Sequence, residues 1–442
     1  SLTYLNMNKQ KLRILIIFLS EFLLFPVSIT LLFTTSILAR CFVRQNKKPK
    51  LVWGEAPIIN NVYWSNCMKE AGFNSETFTD SYCYLINERN EYDRVVQDEY
   101  LFWPLFIKYY FAFIGSLFRY DIFFISFNGF FLWRTIMSRY EAFFLKLANK
   151  KIVVIPFGCD SYSYNRVRSV SLIHGLNSSL PDAAKNQRKI FNRVEYWTEN
   201  GDVIIPGFLS PEGFGRWDVL VPSPLIIDLK QWTLSSRINN ADGVQKVVKI
   251  THAPNFRGFK GSEFIIDAVK KLQKEGLKVE LNLLEKLKNS EVKDIIQHET
   301  DILVEQIIFT GHGLNGLEGL ACGLPVLSNL EDETYTRHLR RWSYLDECPI
   351  VSSCPENLIE NLRILITNPD LRREIGRASR LYVEKYQGFE AGQYMFGEVI
   401  KFLQGKRDSL INIYHPILGE YSIGKPIIEH PLKENKIKLS NS

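Results

Sequence analysis

At 442 residues the chain is long for one domain and suited to two. Hydrophobic residues make up 46% and aromatic residues 13%, enough for a large core, which excludes a globally disordered chain. The net charge of +6 is dispersed, apart from a cluster near Lys47. That pattern suits an anionic membrane surface or a phosphate-bearing substrate, and no nucleic-acid partner is expected.

The first element is the apolar run "ILIIFLSEFLLFPVSITLLFTTSILA", Ile14 to Ala39, about the ~20 residues a membrane span needs. Glu21 and Pro26 interrupt it. The run reads as a span, as an interface-lying hairpin bent at Pro26, or as a helix packed on the protein itself. Lys9, Lys11 and Arg13 precede it, and Arg40, Arg44, Lys47, Lys48 and Lys50 follow. The heavier positive flank is C-terminal, which places the body of the chain at the cytoplasmic face of the cell membrane. The seven cysteines, at 41, 67, 83, 159, 322, 348 and 354, form no CxxC pair. They read as reduced thiols, with no metal site.

From residue 51 the pattern becomes strand, loop, helix, strand. "KLVW" ends at Gly54, a helix carries Val62, Tyr63, Cys67 and Ala71, and Gly72 stops it. Asn60 and Asn61, in the loop with Gly54, are candidate acceptor-binding residues. The aromatic stretch 101–119 reads as a buried helix or one resting on a bilayer. The strands "DIFFISF" and "KIVVIPFG" follow. Polar residues from Ser235 to Gly243 read as a linker. After it, "KVVKITH", "LKVELNLLE", "DILVEQIIF" and "PVLSN" alternate with helices. This is an α/β chain with two Rossmann-like domains facing a cleft. The expected divisions are 1–50 (membrane anchor and basic linker), 51–234 (acceptor domain), 244–405 (donor domain) and 406–442 (extended tail).

Between "KVVKITH" and its helix lies "HAPNFRGFKGSEFII". Glycines here allow close backbone approach, the helix N-terminus offers unpaired N–H groups, and Arg257 and Lys260 supply two cations. That is a seat for phosphate, or an ordinary basic loop. The following helix is expected to bury Phe264, Ile265, Ala268, Val269 and Leu272.

The second motif decides between them. "TDILVEQIIFTGHGLNGLEGLACGLPVLSN" resembles the nucleotide-sugar site of GT-B glycosyltransferases, especially family 4, which carry a pattern like "ADVFV…EGFG…EAMACGLPVV". Laid on it without gaps, Glu318 falls on the second glutamate of the family's pair. The resemblance implies that Glu318 binds the ribose hydroxyls and that the stretch from Gly313 through Leu314 and Asn315 to Glu318 presents backbone N–H groups near the diphosphate, with His312 also a donor-binding candidate. It further implies that Lys260 and Arg257 neutralise the leaving diphosphate. His252, Asn255 and Gly261 belong to the same donor loop, and Lys286, in "LLEKLKNSEV", borders the base. Thr310 stands where the first glutamate would be, with His312 or Glu305 as its replacement. "VVIPFGCDSYSYNR" is similar to the family's "HGSD" loop, with Phe157 at the histidine position and Asp160 retained as a candidate catalytic residue.

The resemblance implies a membrane-associated glycosyltransferase. It would move sugar from a nucleotide diphosphate donor to a lipid-linked or cell-surface glycan acceptor, with retention and without metal or cofactor. A catalytically silent GT-B scaffold and a nucleotide-sugar epimerase are the competing readings.

Overall fold

The computed structural model describes residues 15–43, 47–83, 88–104, 106–207, 214–237 and 240–437. Lys9, Lys11, Arg13 and Arg44 of the basic flanks lie outside the described residues. Two compact units emerge. Among the described residues, the first holds those up to Cys83, those from 88 to Pro156, and Arg193–Val203. The second holds Phe157–Asn192 and everything from Ile204 onward. The sequence division at residue 234 differs from this one. An apolar helix pattern does not reveal which half of the chain its face will meet. Here Tyr162, Tyr164, Leu172 and Leu176 pack with Phe259 and Phe309 of the second unit. Ile227 N–H also donates to the Gln387 carbonyl at 2.9 Å.

The first unit begins with helical residues 15–23 and helix α1 (Phe25–Phe42). Pro26 sits in the first turn of α1, where no N–H is required. Thr30, Thr34 and Thr35 return their hydroxyls to carbonyls four residues earlier, so the helix hides most of its own polarity. Then come β1 (Leu51–Trp53), α2 (Ile59–Glu70), β2 (Ser75–Thr79), β3 (Arg94–Val95), α3 (Ile107–Arg119), β4 (Ile122–Ile125), α4 (Glu141–Leu147), β5 (Lys151–Val154) and β6 (Val203–Ile204). The sheet order is β3-β2-β1-β4-β5-β6, parallel in every described pairing. Counted along the chain this is the doubly wound order 3-2-1-4-5-6, with its reversal point between β1 and β4. The central strands are buried on both faces, and Trp53 stacks on Phe124 with centroids 3.8 Å apart. Helix α1 lies against α3 and α4 and buries Leu32, Ser36 and Ala39 there.

The second unit carries α5 (Val170–Ser179), then β7 (Val248–His252), the one-turn helix α6 (Arg257–Lys260), α7 (Ser262–Lys274), β8 (Val279–Leu283), β9 (Ile302–Thr310), α8 (Leu314–Ala321), β10 (Val326–Asn329), α9 (Glu333–Trp342), β11 (Val351–Ser352), α10 (Leu358–Thr367) and α11 (Pro369–Tyr386). Its sheet order is β11-β10-β9-β7-β8, all parallel. Relative to β7 this is the order 2-1-3-4-5, with the reversal between β7 and β9. The core joins Ile250, Ile265, Val269 and Leu272 to Ile302, Val304 and Leu362. Phe264, expected in the buried stripe of α7, is instead 51% exposed. The tail is not simply extended. It runs through turns to a hairpin of β12 (Leu432–Lys433) and β13 (Lys436–Ile437). Asn435 at that hairpin is buried, and its amide donates to the carbonyls of Cys348 and Ile350.

Candidate functional site

In doubly wound sheets, ligands gather beyond the C-terminal strand ends, where the strand order reverses. In the second unit that point lies between β7 and β9. His252 closes β7 and is fully buried. Its Nδ1 lies 2.7 Å from the Val304 carbonyl and its Nε2 2.8 Å from the Ser262 hydroxyl. A carbonyl only accepts, so Nδ1 carries the hydrogen and Nε2 accepts from Ser262. Burial pushes this imidazole down to about 4, so it is neutral. Both of its nitrogens are committed to holding β9 and the start of α7 in place.

Gly261 links α6 to α7 at φ +78°, and a side chain there would meet Ile307 Cγ1 at 2.5 Å. A residue without Cβ is therefore required for the turn that presents Lys260. Lys260 Nζ sits 3.1 Å from Glu305 Oε1 and 2.6 Å from Gln306 Oε1. Neighbours on a regular strand point to opposite faces. The pairing of β9 with β10 shifts register around Ser328, and this irregular stretch lets both side chains reach one lysine.

Glu305 is the centre of the constellation. Its Oε1 also accepts the Gly313 N–H at 2.6 Å, at the N-terminus of α8. Its Oε2 and the Asn315 Oδ1 are buried and accept no hydrogen bond from any described residue. Asn315 turns its amide to Glu318 Oε2 at 3.1 Å. Burial pushes Glu318 up to about 8; the Asn315 bond opposes that shift and Glu305 adds to it. At neutral pH Glu318 is therefore mostly protonated and can donate as well as accept. His312 is buried beside Glu305 and Lys260, and burial lowers its basicity. A lysine, a helix N-terminus, a neutral histidine and acceptors without donors are groups chemically suited to a polyhydroxylated, anionic ligand.

The remaining donor candidates are more open. Arg257 is tied to Glu263 at 2.7 Å and Glu285 at 3.2 Å in partly exposed pairs, which hold it weakly. Asn255 and Lys286 are exposed, and Leu314 is half-buried at the first position of α8. Asp160 lies in the second unit. Its Oδ1 accepts the N–H groups of Phe157 at 3.1 Å and Gly158 at 2.8 Å, shaping its own turn. Thr310 is buried at the end of β9.

In the first unit the reversal point falls between β1 and β4. Gly54 and Asn61 line a small cavity there with Ala56, Trp64, Ser126 and Ile155. Asn61 donates to the Ala56 carbonyl at 2.8 Å, while Asn60 is half-buried and does not line the cavity. Beside Gly54 lies a cluster that the sequence reading passed over. Arg134 pairs with Asp80 at 3.0 Å and Glu55 at 3.8 Å, and Tyr109 donates to Asp80 at 2.7 Å. Burial pushes Glu55 up to about 7, against the opposing pull of Arg134. The available signal was polarity out of place: Glu55 just after a buried strand.

No protein-family model and no curated protein matches the chain. Among solved structures, the sucrose-phosphate synthase of Thermosynechococcus elongatus is similar at TM-score 0.53 and 14% identity, over 82% of this chain and 100% of that one. The chain has the GT-B fold. An α-glucosyltransferase bound to UDP and DNA matches at TM-score 0.49 and 11% identity, over 80% and 98%. A putative UDP-N-acetylglucosamine 2-epimerase of Listeria monocytogenes matches at 0.44 and 13%, over 82% and 98%. At 14% identity the property shared with the first of these is the architecture of two parallel-sheet α/β units.

Proposed function

We propose that the chain is a nucleotide-sugar-dependent glycosyltransferase. It acts at the cytoplasmic face of the cell membrane and transfers a sugar to a lipid-linked or cell-surface glycan. One observation carries this reading: Lys260, Glu305 and the Gly313 N–H converge at the reversal point of a GT-B-type sheet, beside Asn315 and Glu318.

In this reading the diphosphate lies against Lys260 and the N-terminus of α8. Glu318 meets the ribose hydroxyls, and the free oxygens of Glu305 and Asn315 receive hydroxyls of the sugar. Glu305 thereby takes the role expected of the glutamate that Thr310 replaces. Arg257 leaves its surface partners to meet the diphosphate, so protein cations and a helix end supply the charge stabilisation. The acceptor hydroxyl is held in the first unit by Asn61, Glu55 and Arg134. Retention of anomeric configuration is expected from the likeness of "GLEGLACGLPVL" to family 4.

A silent scaffold is the second reading, favoured by Thr310 and by the engagement of Asp160 in its own turn. Incubation with UDP-, GDP-, dTDP- and CMP-sugars and a polyprenyl-linked acceptor separates the two. The enzyme reading predicts a glycosylated lipid and released nucleotide from one donor series. Donor binding without any product on any acceptor supports the scaffold.

A further inference from the structure

The N-terminal apolar segment does not stand free of the first unit. Glu21 is 5% exposed, and its Oε1 accepts both the Tyr110 hydroxyl and the Ile136 N–H at 3.0 Å. One face of α1 is likewise buried on α3 and α4. A carboxylate locked into the domain fixes the first part of the segment to it. With Leu32, Ser36 and Ala39 of α1 also buried on two domain helices, the segment is held against the unit at two places, which favours lying in one leaflet over crossing it.

The opposite face is apolar and uncovered. Phe22, Leu23, Val27 and Phe42 are each more than 60% exposed. Next to α3, Leu101 is 70% and Phe102 96% exposed, and Trp103 packs on Phe111 of that helix with centroids 4.6 Å apart. Charge selects the occupant. Residues 1–54 contain eight Lys and Arg and a single carboxylate, Glu21, which is the buried one. The sequence flanking the N-terminal segment thus carries only positive charge, and Asp98 and Glu99 beside the Leu101–Trp103 loop are paired with Arg89 and Arg94; this matches an anionic lipid leaflet, whose headgroups attract each basic residue.

We propose that the first unit is monotopic: residues 15–42 and the Leu101–Trp103 loop enter one anionic leaflet in its plane, and neither end of the segment crosses. This rests on the membrane placement proposed above but needs no donor. Loss of vesicle binding and loss of nucleotide-sugar binding are therefore separately readable. Tyr109 and Tyr110 are neighbours on α3; one holds Asp80 beside the acceptor candidates and the other holds Glu21. The leaflet-facing helix and the acceptor cluster thus share one support, as a lipid-borne acceptor requires.

The test is flotation of the full chain with vesicles of phosphatidylcholine alone or mixed with phosphatidylglycerol. It is paired with protease access to an N-terminal epitope in sealed membranes. The chain is expected to float with the anionic vesicles and to be released by salt. Leu23→Glu and Phe102→Glu, both at exposed positions that leave the fold intact, each weaken binding about tenfold or more. The epitope is cut from the same side as the body of the protein. Three results overturn the proposal: an epitope cut only from the opposite side, equal binding to neutral vesicles at any salt, or a lipid-free dimer that covers the face and does not bind vesicles.

Discussion

Lys260 and Glu305 sit where the side chains are 12% and 1% exposed, so neither can be removed without stranding the other. Breaking a buried pair costs roughly 3–5 kcal/mol, because the remaining charge has no water to return to. Lys260→Met should therefore lower the urea midpoint sharply. Adding Glu305→Gln to it should recover most of the loss. If Lys260 also binds the donor, neither variant regains nucleotide-sugar affinity, and calorimetry on the stable double variant separates function from folding. Glu318 makes a second, pH-resolved prediction. Its folded pKa of about 8 lies above its ordinary value of 4.5, so over that interval the native chain holds a proton the unfolded chain has released. Its stabilising contribution is complete below the lower value and is lost as pH rises toward the upper one. Glu318→Gln carries no such dependence, so its melting temperature should gain on the wild type as pH climbs through the interval. A constant difference would show that burial does not perturb this carboxyl.

Helix α8 is placed by what it must leave room for. A side chain at Gly316 would collide with Glu305 Oε2 and come within 3.1 Å of His312 Cβ. Gly316→Ala should cost about 1–3 kcal/mol by forcing the helix off β9, with loss of donor binding. Thermal melts and calorimetry on one sample check both. On α11, fully buried Arg372 donates to the carbonyls of Ala241, Leu365 and Ile366, closing the end of α10 onto the linker. Arg372→Met should destabilise the second unit while leaving donor affinity of the folded fraction unchanged. The strands were legible, because "KIVV", "VVKITH" and "DILVEQIIF" are short apolar runs between turn residues. Lys260 and Glu318 were legible through resemblance. Glu305 entered only as an alternative to His312 for the missing glutamate; its contact with Lys260 was not legible, because it depends on a register shift in β9 that no local spacing encodes. Glu55 and Arg134 are far apart in sequence and meet only when β1 and the segment after β4 come together.

For the whole molecule, two strand orders point to two ligand positions, one at the end of each sheet. Among the described residues from 88 onward the chain passes three times between the units, after Pro156, at Arg193 and after Val203. Asp160 therefore belongs to the unit that holds Lys260, while the acceptor candidates Gly54, Asn60 and Asn61 lie in the first unit with the Glu55–Asp80–Arg134 cluster. Alternation of strands and helices foretold two Rossmann-like halves. It could not foretell that residues 157–192 pack with the second, because Leu172, Leu176 and Phe259 are apolar in either arrangement. The central claim is that Lys260, Glu305, Gly313 and Glu318 form a nucleotide diphosphate sugar site. Titration calorimetry with UDP-, GDP-, dTDP- and CMP-sugars tests it most directly, on the wild type and on the Lys260→Met/Glu305→Gln variant. One nucleotide series should bind the wild type and lose at least about tenfold in affinity, ~1.4 kcal/mol, in the variant. Binding by none of them, or equal binding to both proteins, would contradict it.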